Sequence, residues 1–307
     1  MIGDALSSVP AAMVLHNRAP EALALARTLP VGSYRITALL SIARAQRDRG
    51  NMADAAATAS EVNAQIELTP SDMRDYYYGL RAEFQARAES YGFTDYRDAL
   101  VSALDSLADE KAAMRSESDK ALPRPTIVEV ADAVALAHAI SYRRLDTLAE
   151  IATPLLLSGD RRALEIPIRE ALATVNETRA SDSDYDWNEE LTFIAVTQVA
   201  ARDYAGAKAT ARLLTQPSSR LGTLAIVAWG EACTDEMDVA KKTLADALAD
   251  ARQADRQKDV LGVIAVVQAR LGDREQALTT AEGIPAAGRR VDALIGIATG
   301  RLSPLWH

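Results

Sequence analysis

Apolar residues recur along this chain at i, i+3 and i+4: Leu39, Ile42 and Ala43; Leu148, Ile151 and Ala152; Leu191, Ile194 and Ala195; Leu224, Val227 and Ala228; Leu261, Ile264 and Ala265; Leu294, Ile297 and Ala298. That spacing draws a stripe down one face of a helix, and no alternating strand pattern competes with it. The phrase is itself periodic. From Ile151 its middle position returns at Ile194, Val227, Ile264 and Ile297, at intervals of 43, 33, 37 and 33 residues. These are close to the lengths of two-helix units that stack into arrays, with an insertion in the longest.

A longer internal match supports the period. Ala22, Leu23, Ala26, Leu29, Pro30, Arg35, Ala38, Leu39, Ile42 and Ala43 align in order with Ala277, Leu278, Ala281, Ile284, Pro285, Arg290, Ala293, Leu294, Ile297 and Ala298. Gly50-Asn51, Gly159-Asp160 and Gly272-Asp273 follow striped helices, and a glycine there can take the left-handed conformation that ends a helix. A second helix then opens with alanines four apart: Ala22 and Ala26, Ala207 and Ala211, Ala277 and Ala281. Small side chains on one face let two helix backbones approach. Pro30 and Pro285 close that second helix.

In this order, Ile264-Ala265, Gly272-Asp273, Ala277, Ala281 and Pro285 resemble the tetratricopeptide repeat, and Asp95-Tyr96-Arg97-Asp98-Ala99 and Asp203-Tyr204-Ala205-Gly206-Ala207 resemble its central phrase. The likeness covers most of the chain but lacks the usual Trp and Tyr of the first helix. The expected fold is all-α, a right-handed α-solenoid of stacked antiparallel helix pairs forming a TPR-like superhelix. Residues 115–126 combine charge, serine and two prolines, so they read as an exposed linker between an N-terminal array, 1–114, and a C-terminal array, 127–307.

Composition narrows the partners. The 307 residues carry a net charge of -9 and only 5% are aromatic, so the core is small and aliphatic, and a broad nucleic-acid interface lacks the basic face it needs. No stretch reaches the apolar length of a membrane span, and Met1-Ile2-Gly3-Asp4 does not open a basic-then-apolar leader. Cys233 is the only cysteine, which suits a reducing compartment, and a cytoplasmic location is the expectation.

Candidate chemistry is sparse. Asp182, Asp184 and Asp186 alternate as calcium-loop ligands do, but Trp187 stands where the sharp turn needs glycine and Phe193 where a bidentate Glu is needed. A connector that caps the helix beginning near Asn188 is the competing reading. His16, His138 and His307 lack zinc spacing, and Cys233 has no activating neighbour in sequence. No phosphate loop, dinucleotide fingerprint or nucleophile elbow occurs. No catalytic residue, metal or cofactor is assigned. Arg35, Arg144, Arg220 and Arg290 open the first helix of their units, where a cation opposes the helix dipole. They are expected to hold a carboxylate or carbonyl of the adjacent repeat, the alternative being a ligand-binding row.

The resemblance implies that first helices line a groove for a protein or peptide. It places Arg44 and Arg47, then Arg81, Phe84 and Tyr91, then Trp229, then Arg270 there, with Phe84 and Trp229 alternatively part of the core. Leu305 and Trp306 follow the last apolar helix, which either they or a second subunit covers, so a homo-oligomer through that helix is one expectation. The resulting functional expectation is a non-catalytic adaptor or assembly scaffold, with a peptide-sensing regulatory receptor and an α-helical enzyme with a carboxylate-lined cavity as rivals.

Overall fold

The computed structural model describes residues 2–87, 96–108, 125–140, 144–181, 186–251 and 260–302. Among the described residues there are sixteen helices and no strand. They are α1 (Ile2–Leu15), α2 (Ala19–Thr28), α3 (Ser33–Asp48), α4 (Met52–Glu67), α5 (Ser71–Gln85), α6 (Tyr96–Ala108), α7 (Ile127–Ala137) and α8 (Arg144–Ser158). There follow α9 (Arg161–Ser181), α10 (Asn188–Ala200), α11 (Tyr204–Ala211), α12 (Pro217–Cys233), α13 (Met237–Ala251), α14 (Leu261–Arg270), α15 (Arg274–Glu282) and α16 (Ala287–Thr299).

The chain forms two compact units. One draws on Met1–Gly92 and Pro125–Ile151, the other on Phe93–Arg124 and Ala152–His307. Within the first, α1 packs on α2, α3 on α4 and α5 on α7, while α1, α3 and α5 neighbour one another in turn. Within the second, α10 pairs with α11, α12 with α13 and α14 with α15, and α10, α12, α14 and α16 form the succession of neighbours. Several second helices also meet the next first helix: α2 meets α3, α4 meets α5, α11 meets α12 and α15 meets α16.

The turn inside a pair is built the same way each time. A residue with positive φ ends the first helix, and the next amide reaches back to the carbonyl five residues earlier: Asn51 to Gln46, Asp160 to Leu155, Asp203 to Gln198, Glu236 to Glu231 and Asp273 to Gln268. Glycine takes the left-handed place at Gly50 and Gly272, where its missing Cβ removes the strain, but Arg202 and Asp235 take it in two other pairs. The aspartates then cap the second helix, Asp203 accepting from the Gly206 amide at 2.9 Å and Asp273 from that of Gln276 at 3.1 Å. Ala22 and Ala26, Ala55 and Ala59, Ala207 and Ala211, and Ala277 and Ala281 are all buried, so the alanine face is where the second helix packs.

A polar bond locks three of the pairs internally. Thr58 donates to Gln46 at 2.8 Å, Thr210 to Gln198 at 2.7 Å and Thr280 to Gln268 at 2.8 Å. In every case both oxygens lie between the two helices, where leaving either unpaired would be costly.

The recurrent arginines hold carbonyls. Arg35 Nε donates to Leu29 O at 2.9 Å, Arg220 Nε to Leu214 O at 3.2 Å and Arg290 Nε to Ile284 O at 3.1 Å; in each a second guanidinium nitrogen joins the same oxygen. Arg144 holds Ile140 O and His138 O, and Arg74 holds Thr69 O and Glu67 O. The oxygen always lies at or just past the end of the preceding second helix. The cation at the helix start thus satisfies orphan carbonyls of its neighbour, and His138, exposed at the end of α7, lends its carbonyl to Arg144.

The rhythm breaks after α5. Its partner in the first unit is α7, whose Thr126 and Glu129 form a reciprocal capping box, and Arg87 just past α5 bonds Glu129 at 2.7 Å. Of the phrase Asp95–Ala99, which resembles the central phrase of the repeat, Asp95 lies outside the described residues, and Ala99 belongs to α6, which packs on α10 and α12 in the second unit. Helix α6 is therefore carried on an insertion between the two members of a pair. Of the expected linker, 115–124 lie outside the described residues, Pro125 is buried and Thr126 caps α7. Pro10, Pro154 and Pro167 lie inside α1, α8 and α9, so proline does not end every helix here.

In α16, Gly300 takes φ 72° and stops the helix, Ile297 and Leu302 are buried, and Val291, Leu294 and Ile295 are exposed. Leu305 and Trp306 lie outside the described residues.

Candidate functional site

Of the residues assigned to a groove in the first unit, Arg47, Arg81 and Phe84 come together. Helix α3 carries Arg47 and α5 carries Arg81 and Phe84. The Arg47 guanidinium lies 4.6 Å from the Phe84 ring centre and that of Arg81 lies 5.5 Å from it. Arg47 Nη1 donates to the Phe84 carbonyl at 2.8 Å, Arg81 Nε to Ala59 O at 3.2 Å, and Arg81 Nη1 to Gln85 at 2.8 Å. All three side chains are buried, Arg47 with only 8% of its surface exposed. Two desolvated cations over one ring, each satisfied by carbonyl or amide oxygens, make a bracket between α3 and α5. Burial brings the Arg81 guanidinium down to about 10, against a smaller opposing pull from Asp132. Arg44, one turn before Arg47, is exposed, and Tyr91 lies outside the described residues.

Nearby, burial alone would raise the Glu129 carboxyl, but its bonds to Arg87 and Thr126 outweigh that and hold it below the ordinary range. Glu61 is likewise lowered, foremost by its hydrogen bond from Arg27, which ties α2 to α4 at 2.7 Å. These carboxylates are ionised and bonded, and so are not poised for proton transfer at neutral pH.

In the second unit Trp229 of α12 is fully enclosed, and its indole Nε1 donates to Gly300 O at 3.1 Å. The adjacent Arg301 lies 3.9 Å from Asp105 of α6, and at the other end of α6 the Arg97 guanidinium lies 5.7 Å from the Phe193 ring centre on α10. Ala99, Leu100, Leu104 and Leu107 of α6 are buried. Arg270 is half-buried at the end of α14. Cys233 is buried at the end of α12, and burial pushes its thiol up to about 11 despite Arg270 and Arg202. A thiol so placed is a weak nucleophile.

One buried carboxylate breaks the internal pattern. Glu231 stands where Gln46, Gln198 and Gln268 stand in other pairs; Lys208 of α11 donates to its Oε1 at 2.6 Å, while Oε2 has no hydrogen-bond partner. The Gln-to-Thr spacing shared by the other three pairs could have revealed this exception, and with it the role of Lys208.

Of the acidic stretch, Asp182 and Asp184 lie outside the described residues. Asp186 accepts from the Asn188 amide at 3.1 Å and from Gln216 at 2.7 Å, and its carboxyl is held below the ordinary value first by the Asn188 side chain. Asn188 in turn accepts from the amides of Thr215 and Gln216 at 2.9 and 3.1 Å, so this end of the stretch joins the start of α10 to the start of α12. Among the described residues no three His, Cys, Asp or Glu side chains group as metal ligands, and no helix is long and apolar enough to cross a membrane. No family model, curated protein or solved structure matches the chain.

Proposed function

We propose that this chain is a non-catalytic adaptor: TPR-like stacks of helix pairs whose first helices, within each unit, offer a face to a segment of a protein partner. The observation that carries the reading is the succession of first helices as neighbours, α1, α3 and α5 in one unit and α10, α12, α14 and α16 in the other. Repeated pairs of this kind build a long surface from short elements, and such surfaces suit extended or helical partners. Arg44, exposed on α3, and Arg270 on α14 are the partner-facing side chains, because long cations among small residues make selective contacts with acidic or carbonyl-rich segments. Buried Arg47, Arg81 and Phe84 support the face of the first unit, and buried Trp229 that of the second.

The test is affinity purification of the tagged full chain from its own cells, with proteins identified by mass spectrometry. A stoichiometric protein, lost in an Arg44→Glu, Arg270→Glu variant of unchanged helical circular dichroism, is the expected outcome. Recovery of no such protein, together with turnover of a small molecule, would overturn the adaptor reading in favour of an enzyme.

A further inference from the structure

We infer that α6 is a resident ligand, seated on the first-helix face of the second unit and displaced when an amphipathic helix of a partner protein takes its place. The inference rests on the adaptor reading and names the chemistry of the partner and its control. Helix α6 stands outside the pairing scheme: it lies on the insertion between α5 and α7, and packs on the first helices α10 and α12. Its contact is one-sided, with Ala99, Leu100, Leu104 and Leu107 buried while Ser102 and Ser106 face solvent.

Arg97 is exposed where it covers Phe193, and Asp105 approaches Arg301 at 3.9 Å with both side chains partly open to water. The other carboxylate oxygen of Asp105, Oδ1, is buried with no hydrogen-bond partner. Burying an unsatisfied carboxylate oxygen weakens the seat. By contrast, the α10–α11 pair on which it packs is locked by the buried alanine face of Ala207 and Ala211 and by the bond from Thr210 to Gln198. A partner helix with the same apolar strip and a cation over Phe193, but a neutral residue in place of Asp105, makes the same contacts without that defect. Occupancy by α6 therefore sets a threshold that only a well-matched helix passes.

Two measurements on the full chain test this. In hydrogen exchange, the amides of Leu100 to Leu107 should exchange faster than those of α10 and α12; equal protection would make α6 a fixed core element and overturn the inference. Separately, a fluorescent synthetic peptide of residues 96–108 is titrated into the wild type and into a Leu100→Asp, Leu104→Asp variant, with anisotropy as the readout. If α6 holds its seat nine-tenths of the time, its release strengthens peptide binding about ten-fold. A further Phe193→Ala change should remove most of the gain. A variant that loses its helical circular dichroism, or one that stays folded and binds the peptide no better than wild type, would overturn the inference. If the adaptor reading alone fails, the peptide still binds the variant but neither protein recovers a stoichiometric partner; if only the present inference fails, both recover that partner equally.

Discussion

Arg220 holds the carbonyl of Leu214 with two donors, Nε at 3.2 Å and Nη2 at 2.6 Å, and so fastens α12 to the end of α11. Arg35 and Arg290 do the same for Leu29 and Ile284. A charge-assisted bond of this kind contributes about 1.5–3 kcal/mol, so Arg220→Ala should lower the urea unfolding free energy by about that amount. Arg220→Lys should recover less than half, because an ammonium cannot present two donors in one plane. Equal stability of the lysine variant and the wild type would show that charge, not the fork, matters.

Glu231 and Lys208 form a pair whose carboxylate is almost wholly enclosed. Lys208→Ala leaves that charge uncompensated and should cost about 3 kcal/mol. Glu231→Gln restores the residue found in the other pairs, with Thr243 buried at the threonine position, and should stay within about 1 kcal/mol of wild type. The double variant should regain more than half of the loss. Additive effects in that cycle would remove the pair as the source of the cost.

Two helical glycines should respond in opposite directions to alanine. A Cβ on Gly230 would lie 2.6 Å from Val199 Cγ1 and 2.9 Å from Tyr204 Cε1, between α12 and the α10–α11 pair, so Gly230→Ala should cost about 1–3 kcal/mol. A Cβ on Gly288 in α16 meets nothing within 4 Å, and Gly288→Ala should add about 0.4–1 kcal/mol by restricting the unfolded chain. Thermal melts of the two variants, read side by side, check both signs.

Burial pushes the Cys233 thiol up to about 11 in the folded protein, while in the unfolded chain it ionises near its ordinary value of 9.0. Between those values the unfolded state has already released a proton that the folded state retains, so this group's contribution to stability falls as pH rises through that window. At pH 8 the native protein should react slowly with a disulfide reagent and quickly once urea unfolds it. Fast modification of the folded chain at pH 8 would place the thiol at the surface.

Much of the fold was legible because each helix pair repeats the same local solution. The i, i+3, i+4 stripe around Ile194, Val227 and Ile264, the alanines at Ala277 and Ala281, and the Gly272-Asp273 turn all act within a few residues of their place in the chain. The arginine row was legible as structural for the same reason, since a cation at a helix start demands nearby compensation. Long-range choices were not. Tyr96 to Ala99 matches a second helix in composition, and only packing on α10 and α12 distinguishes it from the true partner, α7. Arg47 and Phe84 fall where the resemblance places a groove, with the core as the alternative for Phe84, and both lie buried, in contact across α3 and α5. Arg202 at a left-handed turn likewise defeats a search for glycine.

The placement of α6 also sets an order of events during synthesis. Helix pairs such as α3 and α4 can form as soon as they emerge, since every contact they need lies within one short stretch of chain. Helix α6 cannot, because α10 and α12 leave the ribosome long after it does. Until then its leucines travel uncovered, and their docking closes a loop that encloses α7, α8 and α9. That late, non-local step slows completion of an otherwise fast, local fold, and it exposes a nascent apolar helix to whatever binds such helices first.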